Sequence, residues 1–309
     1  KVWYQAVILM KKSYTQVGIG RLCMLFGKTR HAFYDKSWYQ EQQLVSNYIV
    51  LEMVATIRRE LPKIGTPKLH HMIKEPLKKQ GIKLGRDSLH KLLLNNGLIV
   101  KNKKRYVITT DSNHWMKKYP NLIKNLVVTE AEQLWVSDIT YIVVEDDFCF
   151  LSLITDAYSK QIMGYCLYPT LEAIGTIKAL EMALSQRMKT HTNLIHHSDR
   201  GTQYCCNAYV SILKEENIAI SMTEKGDPYE NAIAERVNGI LKIEFGLNQK
   251  FKDFETALNT IDTCIMAYNN IRPHMSCNYF TPVEAHQMTG ILDKKWKPKS
   301  YNKISEQTI

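Results

Sequence analysis

Five strand-like apolar runs between Leu134 and Met222 come in an order that few folds accommodate. Three follow one another closely, at 134–144, 148–155 and 161–168. Their short links predict an antiparallel meander. Two more, at 193–197 and 218–222, each follow a helix-like stretch, over about 171–188 and 205–216. Further helices are expected over about 230–247 and 253–271. A meander followed by strand–helix alternation predicts an α/β domain, a mixed sheet flanked by helices.

Three acids interrupt this pattern. Asp138 lies inside the apolar run Leu134-Trp-Val-Ser-Asp-Ile-Thr-Tyr-Ile142. Asp199 follows the fourth run and precedes Arg200-Gly201. Glu235 stands in a helix-like segment, with 35 residues between it and Asp199. A carboxylate buried without a partner costs about several kcal/mol. Divalent metal ions are one partner that offsets the cost. Three carboxylates from separate segments suit a pair of Mg²⁺ (or Mn²⁺) ions that cut and join phosphodiesters.

Helical periodicity tests the third acid. Apolar residues recur at Ile233, Val237, Ile240, Leu241 and Phe245, the stripe of an amphipathic helix. Asn231, Glu235, Asn238 and Lys242 form a second stripe. Glu235 is therefore free to face a neighbouring cleft, with Lys242 two turns further along as a DNA-phosphate contact. The plainer alternative is a solvated helix face carrying an ordinary Glu and Lys.

Longer strings set these acids in a family. Trp135-Val-Ser-Asp-Ile-Thr-Tyr141, His197-Ser-Asp-Arg-Gly-Thr-Gln-Tyr204 and Glu230-Asn-Ala-Ile-Ala-Glu235 resemble transposases of bacterial insertion sequences. The group most similar is the one whose catalytic subunit looks like retroviral integrase. Tyr268-Asn-Asn-Ile-Arg-Pro-His274 and Thr281-Pro-Val-Glu-Ala285 resemble that group's C-terminal signature. The likeness runs to about residue 290. It implies a ribonuclease H-like fold, with Asp138, Asp199 and Glu235 as the D-D-E catalytic and metal-binding carboxylates. It also implies that Lys242 is the basic residue seven positions after the Glu. The chain departs from the group's pattern at Arg236-Val237 and at Glu230-Asn231, so Glu230 competes for the third position; the spacing and the helix face favour Glu235.

Charge is divided unevenly. Residues 1–126 hold 24 Lys and Arg against 7 Asp and Glu, a balance of +17; the remainder holds 17 against 23, a balance of −6. A basic first part points to a polyanion. Helix, Gly turn and polar-started helix across Val17–Phe26, Gly27-Lys-Thr29 and Arg30–Lys36 fit a helix-turn-helix unit. A second unit is expected at about 50–98, with Ile57, Leu61, Leu69, Met72 and Ile73 in its core. Its second helix is Arg86–Leu94, ended by Asn95-Asn96-Gly97. The second helix of such a unit enters the major groove. Arg30, His31, Arg86, Ser88 and Lys91 are thus candidate DNA contacts. A helical bundle with a solvated basic face is the alternative. Lys103, Lys104 and Arg105 read as phosphate contacts without sequence choice. Arg200, Gln203 and Tyr204, after the second Asp, are candidate contacts near the scissile phosphate, with loop packing as the alternative; Arg272 is a candidate to orient a strand or to cap the preceding helix.

The expected organisation has five parts. Residues 1–48 and 49–106 are helix-turn-helix-like, 107–126 a linker, 127–290 the catalytic core and 291–309 a basic tail. No apolar run approaches the roughly 20 residues of a membrane span. The seven Cys include no C-x-x-C pair and read as reduced residues of a cytoplasmic protein.

The resemblance also implies a reaction: metal-dependent nicking at the element's 3′ ends, then attack of the freed 3′-OH on another phosphodiester. The partners implied are double-stranded DNA, as terminal repeats and as target, and a homo-dimer or larger assembly on it. The chain opens on Lys1, and the family raises the expectation of an upstream reading frame supplying a partner. A DNA-binding regulator or an inactive copy with a dead ribonuclease H-like domain is the alternative function. A serine or tyrosine recombinase would need a hydroxyl nucleophile among clustered Arg, which the sequence does not show.

Overall fold

The computed structural model describes residues 2–100, 115–188, 193–224 and 231–296. Lys103, Lys104, Arg105, the competing Glu230 and most of the basic tail lie outside the described residues. The chain divides into two compact units, Lys1–Thr56 with Met72–Leu98, and Ile57–His71 with Ile99–Ile309. Among the described residues no helix is long and apolar enough to cross a membrane.

In the first unit, α1 (Val2–Ser13), α2 (Ile19–Met24) and the start of α3 (Arg30–Glu60) enclose Tyr4, Val7, Leu22, Cys23 and Phe33. Gly27 takes φ +63° in the turn before α3, a conformation that costs glycine little. Thr29 Oγ1 accepts from Ala32 N at 3.1 Å and caps the helix. Helix α3 then runs unbroken to Glu60, across the expected division at 48/49. No Gly or Pro occurs between Arg30 and Glu60, so nothing in the backbone stops it before Leu61-Pro62. Helix α4 (Thr66–Lys79) contributes buried Ile73 and Leu77 to this unit, and α5 (Arg86–Asn95) contributes Leu89 and Leu93. Gly97, at φ +68°, closes α5 as its sequence predicts, with Leu98 N donating to Leu93 O at 2.8 Å.

The second unit is built on a mixed sheet in the order β3-β2-β1-β4-β5. Its strands are β1 (Leu134–Val144), β2 (Asp147–Asp156), β3 (Ile162–Tyr168), β4 (Ile195–Ser198) and β5 (Ala219–Met222). The first three form the expected antiparallel meander. β4 joins β1 in parallel, and β5 joins β4 in parallel. A two-residue strand, β6 (Lys250–Phe251), pairs with β1 further along. Between the strands run α6 (Ala173–Ser185), the short α7 (Thr202–Cys205) and α8 (Asn207–Glu215). After them come α9 (Ala232–Ile243), α10 (Phe254–Asn270) and α11 (Pro282–His286). This mixed sheet with flanking helices is the ribonuclease H-like architecture expected of 127–290.

Alternation along β1 divides its side chains between two faces. Trp135 joins Ala179 and Leu180 of α6 and Tyr209 and Leu213 of α8. Leu134 and Val136 join Ala234 of α9. Asp138 has the parity of Leu134 and Val136, so it emerges on the α9 side.

Helix α6 lies very close to β3. A Cβ on Gly164 would overlap the Ala179 carbonyl oxygen and stand 2.7 Å from Ala183 N. Overpacking against backbone has no flexible side chain to relieve it. Gly164→Ala is expected to lower the unfolding free energy by about 3 kcal/mol, read by urea denaturation. A loss below about 1 kcal/mol would show that α6 can shift away freely.

Candidate active site

The pairing of β1 with β4 sets the site. Leu134 lies opposite Ile195, Trp135 opposite His196 and Val136 opposite His197. Carried two residues further, this register sets Asp138 level with Asp199. Neighbouring strands are about 4.8 Å apart, so the two acids leave adjacent strands side by side. They do so where the antiparallel and parallel parts of the sheet meet, the kind of switch point at which open α/β sheets bind ligands. Both line an open cleft of roughly 220 Å³ together with Thr140, Tyr141, Gly201 and Gln203.

Each acid is held. Asp138 Oδ1 accepts from Ile139 N at 2.9 Å and Oδ2 from Asn238 Nδ2 at 2.7 Å. Asp199 Oδ1 accepts from Gly201 N at 2.9 Å. A Cβ at 201 would meet Gln203 Oε1 at 2.9 Å and press on Asp199 Oδ1 at 3.0 Å, so a larger residue there would crowd the held oxygen. Burial raises the Asp138 pKa to about 7; the charge of Asp199 adds to the rise and that of Glu235 adds less, while the bonds from Asn238 and Ile139 oppose it.

The polar stripe of α9 faces β1. Asn231 Nδ2 donates to Ser137 O at 3.0 Å, and Asn238 reaches Asp138. The Lys242 ammonium sits 3.8 Å from the Tyr141 ring centroid, a cation–π contact. Burial lowers its pKa to about 8, against the attraction of Asp138. Glu235 is exposed in the first turn of α9 and stands outside the lining of the cleft. Among the described residues no three His, Cys, Asp or Glu side chains form a group able to hold a metal ion. The structure therefore brings Asp138 and Asp199 together, with Glu235 in electrostatic reach of Asp138. Sequence reasoning missed Asn238 and Asn231 as supports; their place on the Glu235 stripe was the available signal.

The other candidates scatter. Arg30 and His31 are exposed at the start of α3, and the Arg30 guanidinium lies 5.4 Å from the Tyr34 ring centroid. Arg86, Ser88 and Lys91 are exposed on α5, Arg86 paired with Asp87 at 2.9 Å. Arg200 is half-buried next to Asp199, and Gln203 Nε2 donates to Leu171 O at 2.8 Å. Two expectations are corrected. Tyr204 is 2% exposed, its ring 5.5 Å from that of Tyr209 inside the core, so it presents no surface to DNA. Arg272 is likewise 2% exposed; its guanidinium is spent on Glu244 and His274.

Comparison with known proteins bears on the whole second unit. The integrase core domain family matches residues 128–228, and a second integrase core domain family matches 216–282. A 31 kDa protein of insertion element IS600 from Shigella sonnei is 32% identical over 279 residues, 87% of this chain and 100% of that protein. The transposase for insertion sequence element IS629, also from Shigella sonnei, is 32% identical over 212 residues, 68% of this chain and 71% of that protein. Among solved structures, the HTLV-2 integrase catalytic core in complex with magnesium overlays with a TM-score of 0.41 at 18% identity, over 51% of this chain and 97% of that one.

Proposed function

The chain belongs to the insertion-sequence transposases with a retroviral-integrase-like core, a family of polynucleotidyl transferases; from that premise we propose that it nicks the 3′ ends of its element and joins them to target DNA. The observation that carries this reading is that Asp138 and Asp199 line one cleft at the sheet switch point, close enough for their charges to act on each other, with the polar stripe of α9 beside them.

The chemistry of the two Asp in the cleft suits divalent ions, and Glu235 would have to approach them from the exposed first turn of α9. The donor set is made of hard carboxylate oxygens, and the proton affinity of Asp138, raised mainly by burial and further by the charge of Asp199, is one that a cation would lower. Asp138, Asp199 and Glu235 are the residues that would hold a pair of Mg²⁺ or Mn²⁺ ions. When bound, such ions activate a water or a 3′-OH and neutralise the leaving oxygen. The chain's own contribution is orientation. Ile139 N and Asn238 fix the two Asp138 oxygens, Gly201 N fixes Asp199, and Lys242 holds a positive charge beside Asp138 for a phosphate.

Double-stranded DNA is the proposed substrate, with Arg30, His31, Arg86, Ser88 and Lys91 on exposed helix surfaces as end contacts, and Arg200, Gln203 and Lys242 nearer the cut. Synapsis of two ends requires at least a dimer on DNA; an upstream-frame partner is a further proposed component. The deciding experiment is strand cleavage and joining on labelled linear DNA carrying the element's own ends, with Mg²⁺ or Mn²⁺. Metal-dependent nicks and joined products are expected. End binding without any cleavage in either metal would point to a regulator instead.

Asn238 gives a finer test. Removing its bond to Asp138 should raise that carboxyl's proton affinity further and loosen its orientation. Partners that orient a metal-binding carboxylate are worth roughly 10–100-fold in activity. Asn238→Ala is expected to slow single-turnover cleavage by that factor at unchanged end affinity. A wild-type cleavage rate would remove Asn238 from the site.

A further inference from the structure

A charged cluster lies at the far end of the helix that carries the active-site stripe. Glu244 follows the last residue of α9 as its C-cap. Arg272 grips both of its carboxylate oxygens, Nε to Oε2 at 2.9 Å and Nη2 to Oε1 at 2.9 Å. Its remaining arm, Nη1, is 2.8 Å from His274 Nε2. Lys68 Nζ donates to the same two carboxylate oxygens at 3.1 and 3.3 Å. The backbone joins in, with Lys63 N donating to Glu244 O at 3.1 Å.

Two features of this cluster resist an explanation by stability alone. A negative side chain at a helix C-terminus opposes the helix dipole, so Glu244 is not there to cap α9. Arg272 already pairs Glu244 in a bidentate fork, which neutralises it. Lys68 is a second cation on one carboxylate, with a side chain only 12% exposed. Desolvation and the nearby charges of Arg272 and Arg236 disfavour its ammonium form and lower its pKa to about 8. An apolar side chain of similar length would serve packing as well, because a desolvated ion gains little net stability. What an apolar side chain lacks is a directed bond to the end of α9.

We propose that Lys68 is a positioning residue, whose bonds to Glu244 fix the register of the catalytic helix α9 against the segment Ile57–His71. The inference rests on the strand-cleavage reading for its consequence but not for its geometry. Asn231, Glu235, Asn238 and Lys242 sit along α9 at positions set by where that helix starts and ends. A shift of about 1 Å in such a group is enough to cost up to roughly 100-fold in rate.

The test uses the full chain with Lys68→Met and Lys68→Arg. In metal-free protein, hydrogen exchange across α9 is compared with exchange in β1 and β2. In Lys68→Met, the α9 amides are expected to exchange about tenfold faster while the sheet amides keep their protection. On end DNA with Mg²⁺ or Mn²⁺, single-turnover cleavage of the bound complex should fall about tenfold at unchanged affinity. Lys68→Arg should recover most of both. Unchanged exchange across α9 overturns the proposal, as does a uniform loss of protection in helix and sheet together. It is also overturned if Lys68→Met weakens DNA binding, with a shallower salt dependence, yet bound complexes cleave at the wild-type rate; Lys68 is then a phosphate contact. A wild-type protein that cleaves nothing defeats the strand-cleavage reading, while the exchange comparison still decides the role of Lys68.

Discussion

Asp138→Asn is expected to abolish strand cleavage and joining, by at least about 10³-fold, while end binding persists. A loss of this size is expected because Asp138 lies in the cleft beside Asp199 and both of its oxygens are fixed by hydrogen bonds. The same substitution should stabilise the metal-free protein, in a pH-dependent way. The Asp138 carboxyl has a pKa of about 7 in the fold, against an ordinary 3.8. Between those values the folded protein keeps a proton that the unfolded chain releases. The stability this group contributes is therefore complete below pH 4, declines as pH rises towards 7 and is gone above it. Asn at 138 has no such proton to lose, so the decline disappears. The carboxyl retains some contact with solvent, and the gain at pH 8 is about 2 kcal/mol, half of what full shielding would give. Melting curves in EDTA at pH 5 and pH 8 check it. The variant's advantage should widen between the two; parallel curves would mean that Asp138 ionises without strain. Opposite signs for activity and stability in one substitution are expected where a site is kept charged for function.

The second large effect is structural. Arg272→Ala is expected to remove about 4 kcal/mol of stability, enough to unfold a marginal domain. The variant strips Glu244 of its fork, deprives His274 of its donor and leaves a cavity the size of a guanidinium and its stem. Arg272→Lys should recover little, since one ammonium cannot satisfy two oxygens and an imidazole in that geometry. Replacing both partners, Glu244→Met with Arg272→Met, should cost less than the sum of the two single losses, because each single removes the same ion pair; Lys68 loses its carboxylate too, so the double does not regain wild-type stability. Urea denaturation of the singles and the double checks this. Additive losses would show that the two residues act independently, against the distances between them.

These two sites differ in how far the sequence revealed them. Asp138 was legible because a charge inside an apolar, β-branched run is conspicuous within one strand. Asp199 and Glu235 were singled out by short strings and by helical periodicity, both local signals; the structure sets Asp199 in the cleft with Asp138 and leaves Glu235 exposed outside its lining. The antiparallel meander followed from link lengths, and the structure reproduces it; the place of β4 beside β1 rests on a long-range pairing that link lengths do not reveal. Arg272 was misread because its partner stands 28 positions earlier in the chain, at the end of another helix. An Arg before Pro and His looks like a surface contact until Glu244 is placed beside it. Tyr204 was misread for a similar reason: its burial depends on Tyr209 and His196 meeting it from a helix and a strand. Helix α3 misled through its start. The Gly27 turn suggested short helices, whereas what mattered was the lack of any breaker in the next thirty residues.

The register of β1 on β4 has a consequence for how such a gene decays. Side chains alternate along a strand, so one codon gained or lost within 134–138 or 195–199 turns an acid through the sheet. On the far side stand Trp135, Ala179, Leu180 and Tyr209, closely packed in the core, with no place for a metal or for DNA. A codon gained in the link between β3 and α6 moves neither acid. Copies of a self-spreading element are therefore silenced by very small in-frame changes at these two strand ends, while their surface links drift in length and the enzyme keeps working.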